Sequence, residues 1–456
     1  MLNFYINLII VIILIKISIC NEEVKYIIAE FNSRYPSSNE KDYFYEKCIN
    51  NYLFTKIKLG SEEQNVEMKI DLDLFEVYIV KEDIVDKNLY IPYNINASTT
   101  FTNIVRFYRQ KGEFEKAFLS KDCLVVNDGK KDIKTDEFYF AYVDDGYKKF
   151  AGSIGFNMEK TIIFPEQSMN FIDQLKNNSI ISGYSLTIKF TSNYKGQLLI
   201  GPNIEEIIPK EIKSYKSKTV YVSSDGIING KWELEANKVL VGESELFASK
   251  KVRFDLKNDF IIGTDEFTEF ISKNFFSSLF GTEKCIKEKV PSYNLYLGVK
   301  CLKSVNVKDF PDLKFYFTTT DSEKFNLVMD YRDLFEEKGG YKYFKIILTN
   351  NEIPTISVNK EWIFGKEFFK MNLITFNKET KYITIYYKEK QKKEVDNESR
   401  PINKNVILLW VLFVVLIIMA GVIAFLLFKC IKQGKIIKKR SRLNILEDEI
   451  INGDTN

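Results

Sequence analysis

Apolar residues recur along this chain in short runs, many of them alternating with polar positions. Stretches at 53–59, 66–70, 75–80, 138–143, 185–190, 197–200, 314–317, 344–348 and 382–387 are rich in Val, Ile, Tyr and Phe. Clusters of Gly, Asn, Asp and Lys separate them. That pattern predicts strands joined by turns. Helical patterning is confined to 168–176 and 264–276, the second with Asp265 and Glu266 in its first turn, where acidic side chains favour a helix start. The expected fold class is all-β, mostly strand with small helices.

Two apolar runs break the pattern. Residues 4–15 are almost wholly apolar and are followed by Ser18 and Cys20. This run is too short for a comfortable span and suits a signal peptide cut after Cys20. The missing positive residue before it keeps an uncleaved anchor as the alternative. Residues 406–428 carry no charge, and Lys429, Lys432, Lys435, Lys438, Lys439, Arg440 and Arg442 follow. About 20 apolar residues cross a bilayer, and the flanking cations put that side in the cytosol. The expected organisation is a signal peptide (1–20), an N-terminal extension (21–47), an N-terminal β lobe (48–200) and a C-terminal β lobe (201–388). A charged stalk (389–405), a transmembrane helix (406–428) and a basic cytosolic tail (429–456) complete it. The bulk of the chain is then lumenal or extracellular, in the secretory pathway or at the cell surface.

Composition narrows the chemistry. Among 456 residues, Lys plus Arg number 65 and Asp plus Glu 62, a net charge of +3. Such balance argues against a nucleic-acid binder driven by phosphate neutralisation. There is no histidine, which excludes Ser-His-Asp triads, Cys-His dyads and His-ligated metals. With Cys20 and Cys430 set aside, Cys48, Cys123, Cys285 and Cys301 remain. An even count in an oxidising compartment suggests two disulfides. Of three pairings, Cys48–Cys123 with Cys285–Cys301 keeps each bridge in one half. Asn96, Asn177 and Asn397 head glycosylation acceptor tripeptides.

A short duplication supplies the candidate chemistry. Lys69-Ile70-Asp71-Leu72 recurs as Arg253-Phe254-Asp255-Leu256, each after a strand-like run. Each is followed, much later, by an apolar-apolar-Gly element, Ser153-Ile154-Gly155 and Ile363-Phe364-Gly365. The organisation implied is two similar β lobes, each presenting one Asp toward the other.

With these residues in view, the sequence resembles the pepsin-like aspartic proteases over about 48–388. The elements that carry the resemblance occur in order. They are Leu59-Gly60-Ser61-Glu62-Glu63-Gln64, Asp71, Tyr108 at the position of a flap tyrosine, and Phe150-Ala151-Gly152-Ser153-Ile154-Gly155-Phe156. Next come Gly196-Gln197-Leu198-Leu199-Ile200-Gly201, Trp232 with Val239-Leu240-Val241-Gly242, and Phe310-Pro311-Asp312-Leu313-Lys314-Phe315. Trp362-Ile363-Phe364-Gly365-Lys366-Glu367-Phe368-Phe369 closes the set. The resemblance implies a bilobal fold, no cofactor, no metal, and a polypeptide held between the lobes. It also implies that Asp71 and Asp255 share a proton and activate water, which requires two close carboxylates with titrations forced apart.

Both active-site motifs depart from the Asp-Thr/Ser-Gly pattern of that family. They read Asp71-Leu72-Asp73-Leu74 and Asp255-Leu256-Lys257-Asn258. Leu72 and Leu256 cannot make the hydroxyl bonds, and Asp73 and Lys257 replace glycines. An Asp73–Lys257 ion pair is expected, with Lys257 lowering the pKa of Asp71 or Asp255. The leading expectation is a membrane-anchored, catalytically impaired homologue that binds a polypeptide or partner protein. The alternative is an active aspartic endopeptidase, and a third class is a structural surface protein.

Overall fold

A computed structural model describes residues 25–33, 44–45, 51–108, 116–144, 150–158, 168–248, 250–290, 295–350 and 360–388. These lie within one unit that ends at Lys388. The expected signal peptide 1–20, the expected stalk 389–405, the apolar run 406–428, the basic stretch after it, Cys48 and Asn397 fall outside the described residues. Among the described residues no helix is long and apolar enough to cross a membrane.

The chain is mostly β, with a few short helices. Its strands form a thirteen-stranded, an eight-stranded and a four-stranded sheet among the described residues. The predicted strands at 53–59, 185–190 and 382–387 coincide with Leu53–Leu59, Ser185–Phe190 and Tyr382–Tyr387. The predicted helix at 264–276 becomes an α-helix, Asp265–Ile271, capped by the Thr264 side chain and continued by a π-helical turn, Ser272–Phe276. Ile27–Ser33, in the expected N-terminal extension, is itself a strand, paired with Lys195–Gly201 and Leu53–Leu59. The large sheet also takes in Lys216–Tyr221, Leu373–Asn377 and Tyr382–Tyr387, so its strands come from both ends of the described chain.

The duplication seen in sequence has a topological counterpart. Gln64–Asp71 runs parallel to Gly152–Gly155, which is antiparallel to Tyr78–Val80, which is parallel to Asp132–Val143. Lys251–Phe254 runs parallel to Glu361–Phe364, which is antiparallel to Ile261–Ile262, which is parallel to Tyr341–Thr349. Each set leaves an Asp at the end of its first strand. Each also sets a glycine against the loop that follows the Asp. A Cβ on Gly155 would lie 2.3 Å from the Leu74 carbonyl oxygen, and one on Gly365 2.2 Å from that of Phe260. Only glycine permits such backbone approach.

The core is aromatic and aliphatic. Trp232 and Trp362 are fully buried, and the Trp232 indole donates to the Phe156 carbonyl at 2.8 Å. Leu72 and Leu256 also belong to this core. Their side chains therefore act in packing, and each contributes of the order of 2 kcal/mol by area removed from water.

Candidate functional site

Asp71 ends its strand with its carboxylate out of solvent. Residues two apart on a strand share a face, so Lys69 stands beside it, Nζ to Oδ2 3.0 Å, with neither side chain more than 1 % exposed. The Lys69 ammonium also lies 4.8 Å from the Tyr52 ring centroid and 5.1 Å from that of Phe150. Cations over aromatic faces gain further attraction when desolvated. On its other oxygen Asp71 accepts the Asp73 backbone N–H at 2.9 Å and faces Lys257 Nζ at 3.4 Å.

Lys257 joins both aspartates. Its backbone N–H donates to Asp255 Oδ1 at 2.8 Å, while its ammonium reaches Asp71. The same ammonium pairs with Asp73 Oδ2 at 3.1 Å, the ion pair expected from sequence. Arg253 Nη1 then lies 3.2 Å from Asp73 and 3.7 Å from Asp255. Asp255 also accepts the Asn258 amide at 3.0 Å. The result is a line of alternating charge: Lys69, Asp71, Lys257, Asp73, Arg253, Asp255.

The electrostatics follow from this order. Burial alone raises the Asp71 carboxyl, but the Lys69 and Lys257 ammoniums outweigh it and hold it below its ordinary value. Asp255 behaves oppositely. Burial and the Asp73 carboxylate push it up, and Arg253 and Lys257 offset only part of that. Lys257 therefore acts downward on both aspartates, as expected; at Asp71 the net shift follows it, while at Asp255 burial and Asp73 outweigh it. Lys257 is itself raised, because its three carboxylate neighbours outweigh its burial. An ammonium fixed against Asp71 keeps it a carboxylate and occupies one of its oxygens. A proton-sharing pair also keeps one carboxylate, but that carboxylate must be free to take a proton from water rather than held by two ammoniums.

A second buried cation lies alongside. Lys366 Nζ pairs with Asp259 at 2.5 Å and donates to the Asn51 carbonyl. The Asn51 amide reaches both Asp259 oxygens, at 2.9 and 3.0 Å, and its backbone N–H donates to the Lys257 carbonyl at 2.8 Å. Burial lowers the Lys366 ammonium, and Asp259 opposes this.

The other expected site residues are spread more widely. Tyr108 ends the strand Thr102–Tyr108, opposite Lys116 in a hairpin. Cys285 and Cys301 are bonded, as expected. Cys123 is a free, buried thiol, so the expected Cys48–Cys123 bridge is corrected; it lies inside the sheet, where Thr100 Oγ1 is 3.5 Å from its sulfur. Asn96 and Asn177 are exposed. A surface cavity of about 590 Å³ lies elsewhere, lined by Lys25, Lys130, Lys134, Asp136 and their neighbours, and holds neither Asp71 nor Asp255. Lys69 and Arg253 were not anticipated as site residues. Their signal lay in the duplicated tetrapeptides, each with a cation two positions before its Asp.

No known family profile matches the chain, and no curated protein does. Solved structures do match. Basic 7S globulin from soybean superposes with a TM-score of 0.54 at 10 % identity, over 79 % of this chain and 95 % of that one. Conglutin gamma, a basic 7S globulin from lupine seeds, gives 0.56 at 9 % identity, over 80 % and 95 %. The fold is similar to that of the basic 7S globulins. These findings correct the family assignment drawn from the motifs, since neither sequence comparison returns the pepsin-like aspartic proteases. The physical reason lies in what the motifs contain. Gly155, Gly365, Trp232 and Trp362 are packing residues, and packing residues track a framework. The groups that would track the chemistry are replaced by Leu72, Asp73, Leu256 and Lys257. The basic 7S globulin fold is thus a frame on which this chain carries its own charged cluster.

Proposed function

We propose that this chain is a non-catalytic binding protein that holds a polypeptide, free or as part of a partner protein, over the charged line between Asp71 and Asp255. One observation carries the reading: Lys257 touches both aspartates, by its amide at Asp255 and its ammonium at Asp71. A carboxylate held between two ammoniums is a poor general base, because its proton affinity has been lowered. Asp73, Lys257 and Arg253 each keep about a fifth of their side chains exposed, between 17 and 25 %. They offer donors and an acceptor suited to the amides of an extended peptide.

The remaining parts of the reading concern location. The apolar run 406–428 with its trailing cations is proposed to anchor the chain in a membrane, with the binding portion lumenal or extracellular. The Cys285–Cys301 disulfide supports an oxidising compartment.

The test uses the full chain in detergent with a mixed peptide library from pH 3 to 7, beside Asp71→Ala and Asp255→Ala. The expected result is peptide capture without cleavage, and about tenfold weaker capture by Lys257→Ala, the cost of one charge-assisted hydrogen bond. Cleavage that disappears in both aspartate variants overturns the proposal.

A further inference from the structure

The strand Leu53–Leu59 changes neighbour part-way along one edge. Its first half pairs with Ile27–Ser33, ending at Phe31 against Thr55. Its last two residues pair with Lys116–Asn127, Lys58 against Val125 and Leu59 against Leu124. Between these, Lys56 and Ile57 have partners only on the other edge, in Gln64–Asp71. Ile27 to Glu30 pair only with Lys195–Gly201, and Val126 and Asn127 only with Asp132–Val143. Three strands thus diverge around a wedge and turn strand edges toward it. Antiparallel strands point the N–H and C=O of successive residues to alternate edges. The Glu30 carbonyl faces the wedge, where the Thr55 hydroxyl donates to it at 2.7 Å. Ile28, two residues earlier, presents its N–H and C=O on the same edge.

Behind the wedge lies a cavity of about 160 Å³. Ile57, Ile154, Phe156, Phe171 and Ile200 form its floor, none more than 5 % exposed. A cavity of about 150 Å³ lined by such residues takes one benzene ring, so this one takes a single aliphatic or aromatic side chain. Past Ile27 the wedge leads to Tyr26, Lys25 and the 590 Å³ surface cavity, with which it shares Asp132. Most carboxylates there are already committed. Asp132 is held by Lys58 and Asn127, Asp128 by the Lys130 and Lys131 amides, and Glu137 by Lys121 and Tyr139. Lys130, Lys131 and Lys134 are exposed and form no ion pair among the described residues. The turn that carries them meets Ile27–Ser33 by packing: a Cβ on Gly129 would lie 3.2 Å from Ile28 Cδ1. Among the described residues no hydrogen bond joins that turn to Ile27–Ser33, so the two can part without breaking one.

We propose that the wedge is a strand-addition site for a second polypeptide, an extended segment with one apolar side chain and acidic residues two or three positions from it. Each part of the segment has its counterpart. Unpaired strand edges are templates for another chain, and added strands take affinity from main-chain hydrogen bonds and specificity from pockets for alternate side chains. The apolar side chain enters the cavity beside Ile28. Tyr26 and Lys25, two and three residues before Ile28, mark where the neighbouring positions reach the uncommitted lysines. An alkyl chain would fill the floor but leave the strand edges unbonded, so a peptide fits better than a lipid. This site is separate from the charged line and does not depend on its function.

The test uses the full chain in detergent. The probe is the synthetic peptide Asp-Glu-Thr-Ile-Thr-Glu-Asp, acidic on both sides of Ile so that either strand direction brings carboxylates to the lysines. Two controls are the same peptide N-methylated at Ile and the following Thr, and the same peptide with its four acidic residues replaced by Lys. The expected result is saturable binding of the probe, with slowed hydrogen exchange in 26–31 and 54–58, and at least about tenfold weaker binding of both controls. A chain carrying Lys130→Glu, Lys131→Glu and Lys134→Glu alters exposed side chains only, and should prefer the lysine peptide. Absence of saturable binding to the unaltered chain, equal binding of the three peptides, or an unchanged preference in the variant overturns the proposal.

Discussion

Lys69 and Asp71 sit two residues apart on one strand and close an ion pair of 3.0 Å with both side chains out of solvent. Burying two charges is costly, and such a pair is supported only when its geometry and extra partners are good. Here the carboxylate has Lys257 and a backbone N–H as well, and the ammonium has two aromatic faces.

Breaking that pair leaves a lone buried charge. Lys69→Met should destabilise the protein by about 3 kcal/mol at pH 7, read from the urea midpoint. The combined Lys69→Met, Asp71→Leu variant should recover most of the loss. A single variant as stable as the unaltered chain would show that the pair contributes nothing.

The two aspartates should respond to pH with opposite sign. Asp71 has a folded-state pKa below its unfolded value. Its contribution is present above the unfolded pKa and is lost as pH falls through the folded one. Asp71→Asn should therefore cost more stability at pH 7 than at pH 3. Asp255 has a raised folded-state pKa. Its favourable contribution is complete below the unfolded pKa and is lost as pH rises through the folded one. Asp255→Asn should therefore compare better with the unaltered chain at pH 7 than at pH 3. Urea midpoints at the two pH values decide both signs, and parallel responses would contradict the charge order.

The cysteines give a covalent check. Cys285 and Cys301 close a loop with a sequence separation of 16, worth about 3 kcal/mol in the chain-entropy account. Replacing both by Ser should lower stability by about that amount. Cys123 should resist alkylation in the folded protein and react in denaturant, as followed by mass spectrometry of its peptide. Rapid labelling without denaturant would show that its burial is not maintained.

Much of the framework was legible because it rests on local pattern. Val/Ile/Tyr/Phe runs marked strands such as Ser185–Phe190, and the Asp-Leu repeat marked a topology that occurs twice. Other strands were hidden. Ile27–Ser33 fell in the expected N-terminal extension and joins its sheet through Lys195–Gly201, more than 150 residues away. The Asp73–Lys257 pair could be read from equivalent positions. The upward shift at Asp255 could not, since it depends on burial and on Asp73, which are set by tertiary packing. The free Cys123 was likewise invisible to a count of cysteines.

The order of charges also decides what a charge reversal does. Exchanging Asp73 and Lys257 keeps their mutual attraction and is the usual test of an ion pair. Here it should fail, for a reason the neighbours supply. A lysine at 73 would stand against Arg253, now 3.2 Å from the Asp73 carboxylate, and an aspartate at 257 would face Asp71, now 3.4 Å from the Lys257 ammonium. Two like-charge contacts replace two favourable ones, and in a partly buried site each is worth more than on an open surface. The exchanged chain should thus be no more stable than Asp73→Lys or Lys257→Asp alone in urea denaturation, since each of the three holds two like-charge contacts and one favourable one among these neighbours. The pair is better measured by a double-mutant cycle with Asp73→Asn and Lys257→Met, which removes charge without reversing it. A coupling of about 1 kcal/mol or more is expected there. A rescued exchange variant, or a coupling near zero, would mean that the six charges do not act as one alternating line.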